Sequence, residues 1–168
     1  MNRTLLIMRH AKSSWTSDAT TDHARPLNGR GRRDAPKMGR HLATRGLVPE
    51  CVLSSDSQRT RETWSGFATA LSAQPVVQFE PSLYHGGYFA LRDLLLDLPD
   101  HLRCVMAIGH NPGWSDLVST LTGTFVTLTT GNVAVLTLGS PDWATAAYAE
   151  GQWELEALYR PKTLSQDD

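Results

Sequence analysis

The stretch Arg103–Ile108 constrains the fold of this chain most. Within it, Cys104–Ile108 is the longest unbroken apolar run in the sequence. It is far too short to cross a bilayer. Its polarity is continuous rather than alternating, which predicts a strand buried on both faces at the centre of a sheet. Such a strand needs strands on both edges and helices over both faces, and the rest of the chain supplies them. Thr4–Met8, Val52–Ser54 and Val76–Phe79 are short β-branched and aliphatic runs and read as strands. Asn28 is placed to cap a helix reaching about Arg45, with Gly46 as its stop and Ala35, Met38, Leu42 and Ala43 on one face. Ser57 is placed to cap a second, running to about Leu71, with Thr60, Trp64, Phe67, Ala68 and Leu71 inward. Gly87–Leu98 reads as a helix ended by Pro99. Pro112–Leu121 reads as one that opens on proline and stops at Gly123. Val133–Leu138 and Trp153–Tyr159 alternate and read as closing, antiparallel strands. The expected fold is α/β, a three-layer α/β/α sandwich with a mostly parallel central sheet.

At 168 residues the chain is the size of one domain. That domain is expected over residues 1–161, with 162–168 as a loose tail. The N-terminal MNRTLLIMRH holds a run of only four apolar residues, Leu5–Met8, before Arg9 interrupts it, too few for a signal-peptide core. Two cysteines do not make a disulfide framework. These features predict a soluble cytoplasmic protein in a reducing compartment, with no membrane partner.

Net charge is −1 but unevenly distributed. Residues 1–61 carry twelve Lys and Arg against five Asp and Glu, and residues 62–168 carry four against twelve. Thirteen of the sixteen cations are arginine, whose planar fork suits phosphate and carboxylate oxygens. Arg30, Arg32, Arg33 and Arg40 read as a solvated helix face rather than a site.

Ligands of open α/β sheets sit beyond the carboxyl ends of the strands. The first predicted strand is followed by Arg9-His10-Ala11-Lys12-Ser13, the second by Ser54-Ser55-Asp56-Ser57-Gln58-Arg59-Thr60-Arg61, and the long apolar strand by Gly109-His110-Asn111-Pro112-Gly113. Two histidines and at least two arginines thus converge on one edge, where a helix also opens, and free helix N–H groups attract anions. A neutral imidazole nitrogen can attack phosphorus, and the charge on the transferring group needs fixed donors around it.

These three segments carry a resemblance. Arg9-His10 is similar to the RHG motif of the histidine phosphatase, or phosphoglycerate-mutase-like, superfamily, with Ala11 in the glycine position. Ser57-Gln58-Arg59-Thr60-Arg61-Glu62-Thr63 resembles that family's second motif, and Gly109-His110-Asn111-Pro112-Gly113 its second-histidine motif. The short length and the Arg9-His10-Ala11-Lys12-Ser13 and Leu83-Tyr84-His85 forms most resemble the small SixA-type phosphohistidine phosphatases. The resemblance implies a phosphoglycerate-mutase-like fold, His10 as nucleophile, and Arg9, Arg59 and His110 around the phosphoryl group, joined by the backbone N–H of Asn111. No cofactor is expected, and no metal, because the histidines have no paired carboxylate or cysteine ligands at metal spacing. Arg59 is taken over Arg61, which is expected to contact the sheet or solvent.

Two departures bear on substrate. The larger family members place an acidic residue after the third strand; here His85 stands in that stretch, as a general acid or a hydrogen-bonding loop residue. They also carry a long lid insertion, whereas only Glu80–Leu102 separates the third and fourth strands here. Imidazole leaves readily without strong acid help, its conjugate acid having a pKa of about 6.5, and a small lid admits a protein side chain. The expected function is hydrolysis of protein phosphohistidine through phospho-His10. The alternatives are a small-molecule phosphomonoesterase or mutase with the same nucleophile, or a non-catalytic phosphoryl- or nucleic-acid-binding module. The expected partner is a phosphorylated protein or small phosphorylated substrate, not nucleic acid.

Other chemistries lack their residues. Cys51 and Arg59 are eight apart, not the six of a cysteine phosphatase loop. No Gly-Lys-Ser/Thr loop occurs, and Gly113-Trp114-Ser115-Asp116-Leu117 lacks the second glycine of a hydrolase elbow. His23, His41 and His101 are expected at the surface, and the five tryptophans in packing roles.

Overall fold

The computed structural model describes residues 1–165. One six-stranded sheet runs through the molecule in the order β3-β2-β4-β1-β5-β6. The strands are β1 (Asn2–Arg9), β2 (Cys51–Ser55), β3 (Val76–Glu80), β4 (Cys104–Gly109), β5 (Val133–Gly139) and β6 (Glu154–Tyr159). β1 through β4 are mutually parallel, while β5 is antiparallel to β1 and β6 to β5. The apolar run lies in β4, with a strand on each side.

Period-two alternation builds both cores from the same strands. Leu5, Ile7, Val105 and Ala107 point to one face and pack against α3 (Tyr88–Leu95), α4 (Gly113–Thr122) and α5 (Trp143–Ala147). Leu6, Met8, Met106 and Ile108 point to the other, where α1 (Gly29–Thr44) and α2 (Gln58–Ala68) supply Met38, Leu42, Trp64 and Phe67. Both faces of the central strands β1 and β4 are therefore covered, as their continuous apolar runs require. The result is the expected three-layer sandwich.

The helix boundaries follow their caps. Asn28 Oδ1 accepts from Gly31 N–H at 2.9 Å and opens α1. Ser57 Oγ accepts from Thr60 N–H and opens α2. Gly123 takes φ 69° at the end of α4, a conformation glycine adopts without a Cβ penalty.

Some expectations need correction. α2 stops at Ala68 and α3 at Leu95, each a turn or so short of the sequence estimate. Leu71 and Leu98 still pack in the cores beyond them. α5 was not foreseen; at five residues it is too short for a periodic signal, and the Asp142 side chain capping Thr145 N–H defines it. His41 is buried, not at the surface, because its ring meets Tyr159 edge-on and its Nδ1 meets Arg45. The segment expected to be a loose tail begins as the turn Pro161–Thr163, held by Lys37 Nζ on the Pro161 and Leu164 carbonyls. The rest of that expectation, 166–168, lies outside the described residues. Among the described residues no helix is long and apolar enough to cross a membrane.

Candidate active site

β1 and β4 pair in parallel register, Arg9 opposite Gly109, and His10 N–H extends the ladder by donating to Gly109 O at 3.0 Å. The residues that leave the two strands next are His10 and His110. Their rings stand 5.1 Å apart, centroid to centroid, at 51°. The helix after β1 packs on one face of the sheet and the helix after β4 on the other, so the chain opens a crevice where these histidines emerge. Gly109 allows the second turn: a Cβ there would lie 2.5 Å from the Trp114 ring.

A cleft of about 720 Å³ opens at this edge. It is lined by all six residues named from the sequence: Arg9, His10, Arg59, His85, His110 and Asn111. His10 is 6% exposed. Its Nδ1 donates to the Ala11 carbonyl at 2.7 Å, and since a carbonyl can only accept, the lone pair of the neutral ring sits on Nε2. Burial pushes the His10 pKa down to about 3, with Arg59, Arg9 and Arg25 acting in the same direction and the Ala11 carbonyl against them. The ring is therefore neutral throughout the physiological range, with Nδ1 protonated and the Nε2 lone pair available.

His110 is fixed from β2. Its Nε2 lies 2.8 Å from Ser55 Oγ, which already accepts from Ser57 N–H. With Ser55 as the donor of this bond, Nε2 accepts and the His110 proton sits on Nδ1. Burial lowers the His110 pKa to about 3 as well, helped by His10 and Arg59.

Arg9 donates from one terminal nitrogen to the Leu128 carbonyl at 3.2 Å, and burial, then Arg59, lowers its pKa. Arg59 enters from the first turn of α2. It donates to the Asp22 carbonyl at 2.8 Å and to Asp22 Oδ2 at 3.1 Å. Thr63, one turn on, donates to Arg59 O and accepts from Ala11 N–H, tying α2 to the loop that carries His10. Arg9 Nε, Arg59 Nε and His110 Nδ1 are buried and have no hydrogen-bond partner in the protein. Buried unpaired donors are costly unless something satisfies them, and these three belong to residues that line the cleft with His10.

Asn111, expected to contribute its backbone N–H, lines the cleft and uses its side chain to hold the loop. Nδ2 donates to Leu128 O, and Oδ1 accepts from the Ser115 backbone and hydroxyl, so the amide braces the loop. His85 sits at the exposed rim, its ring 4.2 Å from that of Tyr84. Arg61 packs its guanidinium 4.0 Å from the Phe79 ring of β3, as expected of a sheet contact.

The sequence reading missed Asp22, Arg25 and Tyr84, which also line the cleft. Asp22 Oδ1 accepts from Arg25, and Oδ2 from Arg59 and the Tyr84 hydroxyl. The Tyr84 hydroxyl above all, with Arg25 and Arg59, holds the Asp22 carboxyl below the usual carboxylate range. Asp22 and Arg25 lie in a polar stretch with no periodicity, and nothing in their spacing marks them. The charge facing the cleft is mainly guanidinium, and among the described residues no group of three or more His, Cys, Asp or Glu is placed to hold a metal ion.

Residues 5–83 match the histidine phosphatase superfamily (branch 1). An uncharacterised chloroplastic protein of Arabidopsis thaliana is 36% identical over 173 residues, covering 96% of this chain and 79% of that one. The chain belongs to the histidine phosphatase superfamily. The protein histidine phosphatase SixA, solved with tungstate, superposes with a TM-score of 0.82 at 25% identity, over 96% of this chain and 99% of that one. A Nakamurella multipartitia protein assigned as phosphohistidine phosphatase SixA superposes with a TM-score of 0.81 at 27% identity, over 96% and 97%.

Proposed function

We propose that the protein hydrolyses phosphohistidine on a protein side chain, with His10 as the nucleophile. The observation that carries the reading is that one cleft brings the guanidinium-bearing Arg9 and Arg59 and the ring of His110 around His10, whose Nε2 lone pair is free. Two guanidiniums and an imidazole suit the charged oxygens of a transferring phosphoryl group. Similarity to SixA supports the substrate class.

The steps balance on the chain's own residues. The Nε2 lone pair attacks phosphorus as the P–N bond of the substrate breaks. The substrate imidazole, protonated at its far nitrogen, leaves as a neutral ring. Positive charge on the His10 ring is held by Nδ1–H against the Ala11 carbonyl. Water then attacks phospho-His10, the P–Nε2 bond breaks with its electron pair returning to the ring, and the water proton passes to a phosphate oxygen, so that dihydrogen phosphate departs and His10 is again neutral. Asp22 is kept ionised by its donors, so it has no proton to give an alkoxide. An imidazole leaving group makes little demand for one. The cleft volume lies within the range of substrate pockets and leaves room beyond a phosphoryl group for the donor. A reducing, cytoplasmic location belongs to the same proposal and is supported by the free thiols of Cys51 and Cys104.

The test is a pair of kcat/KM values, for a phosphohistidine protein and for a small phosphomonoester, with His10→Ala as control. The expected result is preference for phosphohistidine and loss of turnover in His10→Ala with the fold retained. Preference for the monoester would overturn the substrate class, and near-normal turnover by His10→Ala would overturn the nucleophile.

A further inference from the structure

Resting on the reading of the cleft as a phosphoryl site, we propose that Asp22 is a positioning residue for Arg59. It grips both terminal nitrogens, so the guanidinium is held at the cleft with its remaining N–H groups left for the phosphoryl oxygens.

The grip is two-pronged. Terminal nitrogens of Arg59 donate to the Asp22 main-chain carbonyl at 2.8 Å and to Oδ2 at 3.1 Å. Both prongs come from one residue, so the guanidinium is fixed in plane as well as in place. Arg59 Nε is the atom left buried and unpaired. An arginine loses considerable rotamer freedom when it orders around an anion. Ordering it beforehand lowers that cost when the anion arrives.

Asp22 is itself braced, although its side chain is half-exposed. Oδ1 accepts from Arg25 at 2.7 Å, and Oδ2 accepts from Tyr84. Arg25 is pinned by Ser13 Oγ at 2.6 Å and the Ser14 carbonyl at 3.0 Å, and it stacks on Trp15 at 3.4 Å. The neighbouring His23 carbonyl accepts from Gln58 N–H at the start of α2, one residue from Arg59. The loop is thus built to hold a carboxylate against this arginine.

A carboxylate so close to an anion site could instead act as an internal competitor for Arg59, and the two roles predict opposite signs. Tungstate affinity, and kcat and KM on one phosphorylated substrate, should be compared for the wild type, Asp22→Asn, Asp22→Ala, Arg59→Ala and the Asp22→Ala/Arg59→Ala double variant. The clamp predicts that Asp22→Ala weakens tungstate and lowers kcat/KM about tenfold, inside the range of couplings between bonded residues. Asp22→Asn, which keeps an acceptor oxygen, should lose less. In the Arg59→Ala background the Asp22 effect should vanish. Tighter tungstate binding by Asp22→Ala would identify a competitor and overturn the clamp, as would an undiminished Asp22 effect in the double variant. Unchanged tungstate binding by Arg59→Ala would overturn the phosphoryl-site reading and this proposal with it, whereas loss there with no effect of Asp22→Ala would overturn this proposal alone.

Discussion

The rings of His10 and His110 stand 5.1 Å apart because β1 and β4 pair in register up to Arg9 and Gly109, and each histidine is the next residue out. A one-residue slip in that ladder would send one of them to the opposite side of the sheet. The geometry of the site is therefore a property of strand pairing, and its chemistry depends on what buries the two rings.

Burial sets the first prediction. Burial pushes the pKa values of both imidazoles down to about 3, from about 6.5 in the unfolded chain. Between these values the unfolded chain binds more protons, so stability falls as pH drops through that window. The slope is up to about 1.4 kcal/mol per pH unit for each ring. An NMR titration of the ring protons should find both neutral at pH 5, and His10→Asn should flatten the acid side of the stability curve. A midpoint near 6.5 for either ring would contradict the desolvation argument.

Arg59→Ala should lower kcat/KM by roughly 10²–10³, about what one lost oxyanion donor costs. Arg59→Lys should recover little, because an ammonium cannot fill the two-pronged grip of Asp22 and still present a second edge. Steady-state kinetics on one substrate decide it; full rescue by lysine would mean that charge alone matters.

Ser55 Oγ holds His110 Nε2 and also accepts from Ser57 N–H. Ser55→Ala should therefore reduce kcat/KM about tenfold, on the scale of one hydrogen bond of about 1–1.5 kcal/mol, and lower the melting temperature by a few degrees, because both buried partners are left unsatisfied. Ser55→Thr, which restores a hydroxyl, should recover part of the loss. Equal loss in both variants would point to packing instead.

Gly31 ties α1 to the loop after His10. A Cβ there would lie 2.2 Å from the Lys12 carbonyl oxygen, a backbone atom. Gly31→Ala should destabilise the fold by about 1–3 kcal/mol, as overpacking does, and lower activity through displacement of Lys12. Thermal denaturation alongside kinetics tests it, and an alanine variant as stable and active as the wild type would refute it.

Much of this was legible in the chain. Cys104–Ile108 demanded a centre strand, and Asn28, Ser57 and Gly123 marked helix ends through local hydrogen bonding and φ, which depend on near neighbours alone. His10, Arg59 and His110 could be named because each follows a strand or opens a helix, and their motifs lie within a few residues.

What the chain alone determined was therefore local: which residues form strands and helices, and which side chains leave the sheet at one edge. Tertiary structure decided the rest. Asp22 meets Arg59 across 37 residues and Tyr84 across 62, and His41 became a core residue only when Tyr159 arrived against it. Such partnerships leave no periodic trace, because a polar side chain in a loop finds its partner only once packing has folded distant segments together.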